Sequence, residues 1–175
     1  MMINRRNLMI NRRNLMVAGC SALVAGLLPR GSIAAAQPTL QQSIDESDLI
    51  YITPIRSDGQ ESSCQAELWF VPDGKDLYVV TEASTWRAKA VTKGLSRARI
   101  WVGDLGNWRN SNGKYKTLPQ MEASASGTIS PDTKEKILKG YGKKYPVSWL
   151  VYESRFRNGL ADGSRVMLRY RPMPG

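Results

Sequence analysis

The chain contains, between residues 68 and 81, the stretch Leu68-Trp-Phe-Val-Pro-Asp-Gly-Lys-Asp-Leu-Tyr-Val-Val-Thr81. Its two β-prone runs are separated by Pro-Asp-Gly-Lys, in which proline presets φ at one position and glycine permits positive φ at another. Upstream, from Cys64 onward, apolar and polar residues alternate as they do in a half-buried strand. Cys64–Thr81 is therefore predicted to form a β-hairpin, with Cys64 as a buried strand residue.

A helix is predicted directly after this hairpin. Ser84 or Thr85 is a suitable N-cap, and Gly94 is suited to end the helix. Further strands are predicted at Leu49–Ile55, Arg97–Gly103, Tyr115–Leu118, Gln120–Ile129 and Arg165–Arg171, with a helix from Ser130 to about Gly140 and an ambiguous segment, compatible with a short helix, at Tyr145–Phe156. This order of elements indicates the α+β class. Strands at such short spacing favour an antiparallel β-barrel of about six strands, with helices flanking it.

The first 36 residues have the pattern of a bacterial export signal. An arginine-paired segment occurs twice, and its second pair, Arg12-Arg13, precedes an apolar run that ends at Leu28. The small-residue site Ala34-x-Ala36 follows. This order is typical of a twin-arginine signal peptide. It predicts a signal peptide at residues 1–36 and an exported, periplasmic domain at residues 37–175.

Two alternatives concern the same segment. A retained transmembrane helix is disfavoured because the apolar run is short and ends at Pro29-Arg30. Val17–Cys20 fits a lipid-attachment box, but only about six residues separate Arg13 from Cys20, fewer than the roughly 7–15 apolar residues that such a signal needs. We therefore expect cleavage after Ala36 and no stable membrane anchor.

Composition excludes several kinds of active site. The chain has no histidine, which excludes Ser-His-Asp and Cys-His catalysis and histidine-built metal or haem sites. Cys20 leaves with the leader, so Cys64 remains alone and no thiolate cluster or internal disulfide can form. The leader carries five arginines and no acid, so its removal lowers the formal net charge from +10 to +5. That charge favours an anionic ligand but does not by itself indicate a nucleic-acid binder. No metal site is predicted. If the protein catalyses a difficult reaction, an organic cofactor would have to supply the chemistry.

The pattern Thr81-x-x-x-Thr85-x-Arg87-x-Lys89 lies where the hairpin ends and the helix begins. A helix N-terminus offers free backbone N–H groups and partial positive charge, which suit a phosphate. The hydroxyls of this segment, including Ser84, and the guanidinium of Arg87 would complete a phosphate clamp, with Lys89 adding charge. The same residues fit an ordinary capped helix with a solvated basic face, and the pattern alone favours that simpler interpretation.

The segment at residues 68–91 resembles the split-barrel flavin-binding superfamily. This group includes pyridoxamine 5'-phosphate oxidases, general flavin reductases and deazaflavin-dependent reductases. Its members typically have a hairpin ending in Tyr-Thr or Val-Thr, followed by Ser-x-Lys four and six residues after the threonine. Here Thr85 and Arg87 occupy those places after Thr81, keeping a hydroxyl and a cation. Later strands fall in the family's order, so the likeness covers most of Ile50–Ile129.

The resemblance implies a split barrel that binds FMN at a homodimer interface. A deazaflavin is the second choice of cofactor, and haem is a more distant one. The implied function is an exported oxidoreductase in which the flavin passes electrons or hydride to a small organic acceptor; no catalytic residue is assigned. Gln65 and Phe70 stand where pyridoxamine oxidases carry an arginine and a lysine, and the vitamin-specific histidine is absent. Pyridoxamine phosphate is therefore not the expected substrate.

Two other functional classes stay open. A non-catalytic periplasmic protein of the same fold could hold a flavin or another small ligand, because fold does not determine function. A basic domain that binds cell-surface polyanions is less favoured, because cations and anions are mixed through Asp132–Arg171.

Tryptophans are candidates for stacking on a flavin ring or a substrate. Trp86 lies within the clamp segment, and Trp108 lies in the loop Asp104–Asn110, where Asn107 and Arg109 offer polar contacts. The alternative is that both belong to the core or to a subunit interface, because large aromatic side chains dominate burial.

The export signal gives the first prediction. Replacing Arg12-Arg13 with Lys-Lys, together with the upstream pair Arg5-Arg6, should leave unprocessed protein in the cytoplasm, because the twin-arginine route reads the arginine pair. Cell fractionation with immunoblotting measures this. Undiminished export of the doubly changed protein would rule the signal out, and a lipid-modified mature chain starting at Cys20 would support the lipoprotein alternative.

Overall fold

The computed structural model describes residues 37–174, so the predicted signal peptide lies outside the described part of the chain. The elements are α1 (Leu40–Glu46), β1 (Leu49–Pro54), β2 (Ala66–Trp69), β3 (Val71–Asp73), β4 (Asp76–Glu82), α2 (Trp86–Thr92), β5 (Arg97–Val102), a 3₁₀ helix (Lys114–Thr117), β6 (Gln120–Ser126), α3 (Pro131–Lys144), α4 (Pro146–Asp162) and β7 (Arg165–Pro172). The predicted α+β class is confirmed.

The strands form one antiparallel sheet in the order β2-β1-β5-β6-β7-β4-β3. β2 and β3, at opposite ends of this order, are consecutive pieces of one segment separated only by Phe70. That continuity bends the sheet into a nearly closed barrel, in which β2 pairs with β1 and β3 pairs with β4. Within residues 37–174, β2 and β4 share no ladder, so the barrel is split between them. Counting β2 and β3 as one interrupted strand gives the predicted six.

Two apolar cores follow from the alternation of side chains along the strands. The barrel interior is filled chiefly by Ile50, Ile52, Leu77, Val79 and Ile100. The outer faces of β4 and β7 are covered by α3 and α4, and this second core contains Tyr78, Val80, Tyr141, Trp149 and Phe156. β4 is therefore buried on both faces, with one set of side chains inside the barrel and the other beneath the helices.

Two tyrosine hydroxyls form hydrogen bonds with backbone groups at the split between β2 and β4. Tyr145 Oη accepts a hydrogen bond from the Phe70 N–H at 3.0 Å and lies 2.8 Å from the carbonyl oxygens of Phe70 and Asp48, to one of which it donates. Tyr141 Oη lies 3.1 Å from the carbonyl oxygen of Trp69 and 3.3 Å from that of Tyr78. The backbone groups left unpaired between β2 and β4 are thus satisfied from α3.

Several predicted boundaries were wrong. The hairpin is confined to β3 and β4, because the first half of the predicted strand pairs with β1 instead. Cys64 precedes β2 and is half-buried rather than a buried strand residue. Tyr115–Leu118 is largely a 3₁₀ helix, held by backbone bonds within the loop, and not extended. α3 continues past Gly140 to Lys144, and the ambiguous segment at Tyr145–Phe156 forms the N-cap and first part of the 17-residue helix α4.

Glycine occupies position 140, inside α3, because the helix lies very close to β3 at this point. A Cβ at residue 140 would lie 2.7 Å from Val71 Cγ1. Alanine is normally about 1 kcal/mol better than glycine in a helix. Here the short, stiff valine leaves no room for it.

Gly140→Ala should therefore lower the free energy of unfolding by roughly 1–2 kcal/mol, because overpacking outweighs the gain in helix propensity. Urea denaturation of the single variants and of Gly140→Ala/Val71→Ala measures the coupling between the two positions. The double variant should be more stable than the sum of the single losses predicts. Additive losses would show that Val71 is not the obstacle.

Lys144 brings an amine into this same region. Its Nζ is buried, has no hydrogen-bond partner within residues 37–174, and lies 3.3 Å from the centroid of the Phe70 ring. Burial lowers the pKa of Lys144 to about 8, although Asp48, Asp104 and Asp45 draw it the other way. The charged form of Lys144 therefore opposes folding.

The free energy of unfolding should consequently rise with pH from about 8 to about 10, since over that range Lys144 keeps its proton in the unfolded chain, where its pKa is 10.5, and loses it in the folded chain. Above pH 10 it should fall, because burial raises the pKa values of Tyr141, Tyr145 and Tyr170 above 10.0 in the folded chain. Lys144→Met should be more stable at pH 7 by roughly 1 kcal/mol and should lose the rise. Urea denaturation from pH 7 to pH 10 tests this, with the exposed neighbour in Lys143→Met as control. An unchanged profile in Lys144→Met would refute the assignment.

Candidate functional site

The predicted clamp segment lies at one end of the barrel. Thr81 belongs to the inward-facing set of β4, together with the core residues Leu77 and Val79. Thr85 is the N-cap of α2, as predicted, but its hydroxyl donates to the Glu82 carbonyl at 2.8 Å and makes no capping bond to α2. The first turn of α2 therefore has no side-chain cap from Thr85.

Arg87, in that first turn, points inward rather than into solvent. Its Nη1 donates to Thr81 Oγ1 at 2.7 Å, and Thr81 Oγ1 lies 3.5 Å from Thr85 Oγ1. The structure thus brings together the two hydroxyls and the guanidinium of the predicted clamp. It also shows that Arg87 does not form the solvated basic face of an ordinary surface helix.

The burial of Arg87 is the most unusual feature of this end of the barrel. The residue is only 8% exposed, and its Nε is buried without a partner within residues 37–174. In the same part of the chain it forms no ion pair with a carboxylate. One hydrogen bond to a neutral hydroxyl does not offset the desolvation of a guanidinium, whereas a bound anion would.

Tyr170, fully buried in the barrel core, lies close enough to Arg87 to feel its charge. Burial raises its pKa, the charge of Arg87 acts in the opposite direction, and Cys64 raises it slightly. Arg87 and Cys64 therefore both lie near Tyr170. The sequence spacing does not indicate Tyr170, which lies more than eighty residues from Arg87.

The remaining predicted site residues of the clamp segment line three different clefts around α2. Ser84 lines a cleft of ≈ 620 Å³ that also contains Arg155 and Arg165. Trp86 lines a cleft of ≈ 570 Å³ together with Cys64 and Gln65. Lys89 is exposed and lines a more apolar cleft of ≈ 390 Å³. Only Thr81, Thr85 and Arg87 form one cluster.

Trp108 lies elsewhere. It packs with Tyr51, Trp101 and Tyr115 in a third, smaller core, and the guanidinium of Arg109 lies 4.7 Å from its ring centroid. Its backbone N–H donates to Glu67 Oε2 at 3.2 Å. Trp108 is thus half-buried among core aromatics, whereas Arg87 faces the barrel interior.

Arg165 and its surroundings were missed by the sequence analysis. A Cβ at Gly159 would lie 2.7 Å from Arg165 Cδ, so the absence of a side chain there lets Arg165 lie against α4. Arg165 Nη2 then reaches Glu82 Oε1 at 3.3 Å. The only available signal was a glycine inside a helical segment, which does not specify its partner.

Residues 37–174 contain no group of three or more potential metal-ligating side chains. In the same range no helix has the length and apolar character needed to cross a membrane.

Comparison with known proteins bears on the fold. No protein-family model matches the chain, and no curated protein matches its sequence. Similar solved structures include the conserved hypothetical protein Rv2991 from Mycobacterium tuberculosis, with 15% identity and a TM-score of 0.54, covering 81% of this chain and 84% of that one. HutZ, the haem storage protein from Vibrio cholerae, has 12% identity and a TM-score of 0.51, covering 77% and 88%. A protein from Listeria innocua, provisionally named a pyridoxamine 5'-phosphate oxidase, has 14% identity and a TM-score of 0.48, covering 75% and 89%.

The fold is a split β-barrel. The similarity to the Mycobacterium tuberculosis protein and to HutZ, at 15% and 12% identity, shows the fold alone. Within this fold, the residues of the individual chain determine which ligand can bind.

Proposed function

We propose that the chain is an exported flavin-binding split barrel that takes FMN and acts as an oxidoreductase on a small organic acceptor. The observation that carries the proposal is Arg87, a nearly fully buried guanidinium with one neutral hydrogen bond and no carboxylate partner within residues 37–174. A cation in that setting is stabilised by an anionic ligand. The phosphate of FMN supplies such an anion.

The residues present fit a phosphate at the start of α2. Arg87 has free N–H donors, Thr81 and Thr85 supply hydroxyls beside it, and the uncapped first turn of α2 supplies backbone N–H groups. FMN, when bound, supplies the hydride and electron transfer. The protein binds and orients the cofactor, and we assign no acid–base residue. The proposed assembly is a homodimer in the periplasm, with a deazaflavin as the alternative cofactor.

A non-catalytic ligand-binding protein is the second candidate. The cations that pyridoxamine oxidases carry on the strand before the turn are absent here; Phe70 is fully buried and Gln65 is half-buried. Arg87 is then the buried cation of residues 81–89 that can bind a phosphate. HutZ stores haem, but this chain has no histidine to ligate it, which makes haem the weaker ligand for this candidate.

Arg87→Met tests the proposal through two effects of opposite sign. Without ligand, the variant should gain roughly 1–2 kcal/mol of unfolding free energy, because an unpaired buried charge is replaced by an apolar side chain of similar length. Its affinity for FMN should fall by roughly 2–4 kcal/mol, because a charge-assisted contact to phosphate is lost. Its affinity for riboflavin, which lacks the phosphate, should scarcely change. Urea denaturation and isothermal titration calorimetry measure these quantities.

Lys89→Met is the matched control, since Lys89 is an exposed cation on the same helix. It should leave stability unchanged and weaken FMN binding only slightly. Equal losses for FMN and riboflavin in Arg87→Met, or FMN affinity equal to that of the parent, would refute the phosphate clamp. A parent protein that binds FMN tightly but reduces no acceptor in the presence of a reductant would favour the non-catalytic candidate.

A further inference from the structure

The start of α4 presents an apolar strip to solvent. Val147, Leu150 and Val151 are 79%, 86% and 72% exposed, and their spacing places them on one face of the helix. Single exposed apolar residues are ordinary, but three adjacent ones at this exposure are not. The opposite face of α4 carries Trp149 and Phe156, which are buried in the second core. Within the described residues, the strip therefore takes no part in the packing of α4.

Lysines are concentrated around the connection between α3 and α4, next to the start of this strip. Between residues 136 and 152 the chain has four lysines and no acidic residue. Lys139 and Lys143 are exposed, lie one turn apart on α3, and form no ion pair within residues 37–174. Lys143 precedes Val147 by four residues across the one-residue connection between α3 and α4. The exposed Arg155 follows Val151 by one turn and lies 4.0 Å from Glu82 Oε1, an exposed and loose ion pair that leaves its guanidinium accessible.

The acidic groups of the two helices are placed away from the strip or are paired. Asp132 lies at the far end of α3 and Asp162 at the far end of α4. Glu135 and Glu153 both bond to Arg157. Three further carboxylates face the buried amine of Lys144, which we therefore do not count among the free cations.

We propose that this face of the α3–α4 hairpin is a docking site for an anionic lipid surface. The exposed apolar side chains would enter the headgroup–acyl boundary, and Lys139, Lys143 and Arg155 would meet the lipid phosphates. One short strip and a few cations give reversible, peripheral association, which differs from a stable anchor. The inference is independent of the ligand at Arg87.

A second copy of the chain is the weaker occupant for two physical reasons. Three side chains of this size expose on the order of 400 Å², about half of the roughly 800 Å² per partner that a standard dimer interface buries. A two-fold contact through this face would also bring the lysines of both copies towards one another without intervening carboxylates.

Vesicle co-sedimentation tests the proposal, using the chain that starts at Gln37 so that the apolar leader does not contribute. Residues 37–174 contain the whole barrel and both covering helices, so this chain retains the fold. The probes are vesicles of phosphatidylcholine mixed with phosphatidylglycerol, and vesicles of phosphatidylcholine alone. The parent should bind the anionic vesicles more tightly, and added salt should weaken that binding.

Two variants separate the apolar and electrostatic parts. Val147→Ser/Leu150→Ser/Val151→Ser and Lys139→Gln/Lys143→Gln should each lower the apparent affinity for anionic vesicles about tenfold or more. The matched control Lys75→Gln/Lys114→Gln removes two exposed lysines far along the chain from the strip and should bind close to the parent. Circular dichroism and thermal melting check that all variants stay folded.

Three outcomes would overturn the proposal: no binding of the parent to anionic vesicles, equal weakening by the control variant, or conversion of a dimer to a monomer by the triple serine variant in sedimentation equilibrium without lipid. The last result would assign the face to a contact between copies. A dimer that persists unchanged in the triple serine variant would support the proposal, because the face is then free in the assembly.

Discussion

The barrel depends on how its interrupted strand is closed. β2 and β3 follow one another with only Phe70 between them, yet they pair with strands at opposite ends of the sheet. At the interruption, the hydroxyl of Tyr145 bonds both backbone groups of Phe70 in place of a neighbouring strand. Tyr141, one turn earlier, reaches carbonyl oxygens on both sides of the split. Without these hydroxyls, buried backbone groups would lack partners at the one place where the sheet is not continuous.

The same constraint positions the helices. Because both tyrosines lie at the end of α3, the split fixes α3 against β3, and Gly140 allows the close approach that this needs. α4 then returns across the outer faces of β4 and β7 and seals the second core. The packing determines its inward residues, and the outward residues at the start of the helix have no packing partner within residues 37–174.

The sequence predicted the strand-rich order, the helix after Thr85 and the barrel, because alternation and capping are local signals. It did not predict that Ala66–Trp69 pairs with β1 and not with β4, because the hydroxyls that satisfy the backbone at the split come from Tyr141 and Tyr145, more than seventy positions away. The helix predicted to end at about Gly140 continues to Lys144, and Gly140 marks the close approach of α3 to Val71. In the structure the side chains of Thr81, Thr85 and Arg87 lie together. The inward direction of Arg87 was not predictable, because spacing on a seven-residue helix does not tell which face the barrel receives.

Arg87 and Lys144 both carry a buried cationic group, but the charge of each is compensated differently. The amine of Lys144 lies over the Phe70 ring, where a cation–π contact and three carboxylates partly offset its desolvation. It can also lose its proton near neutral pH. Arg87 has neither a compensating carboxylate nor the option of losing its proton, because a guanidinium stays protonated and only Thr81 bonds it within the described residues. A group that can neither discharge nor find an internal counter-ion is destabilising unless an anion arrives from outside. For that reason Arg87, rather than the more exposed cations of α2, is the residue on which a ligand hypothesis for this barrel should rest.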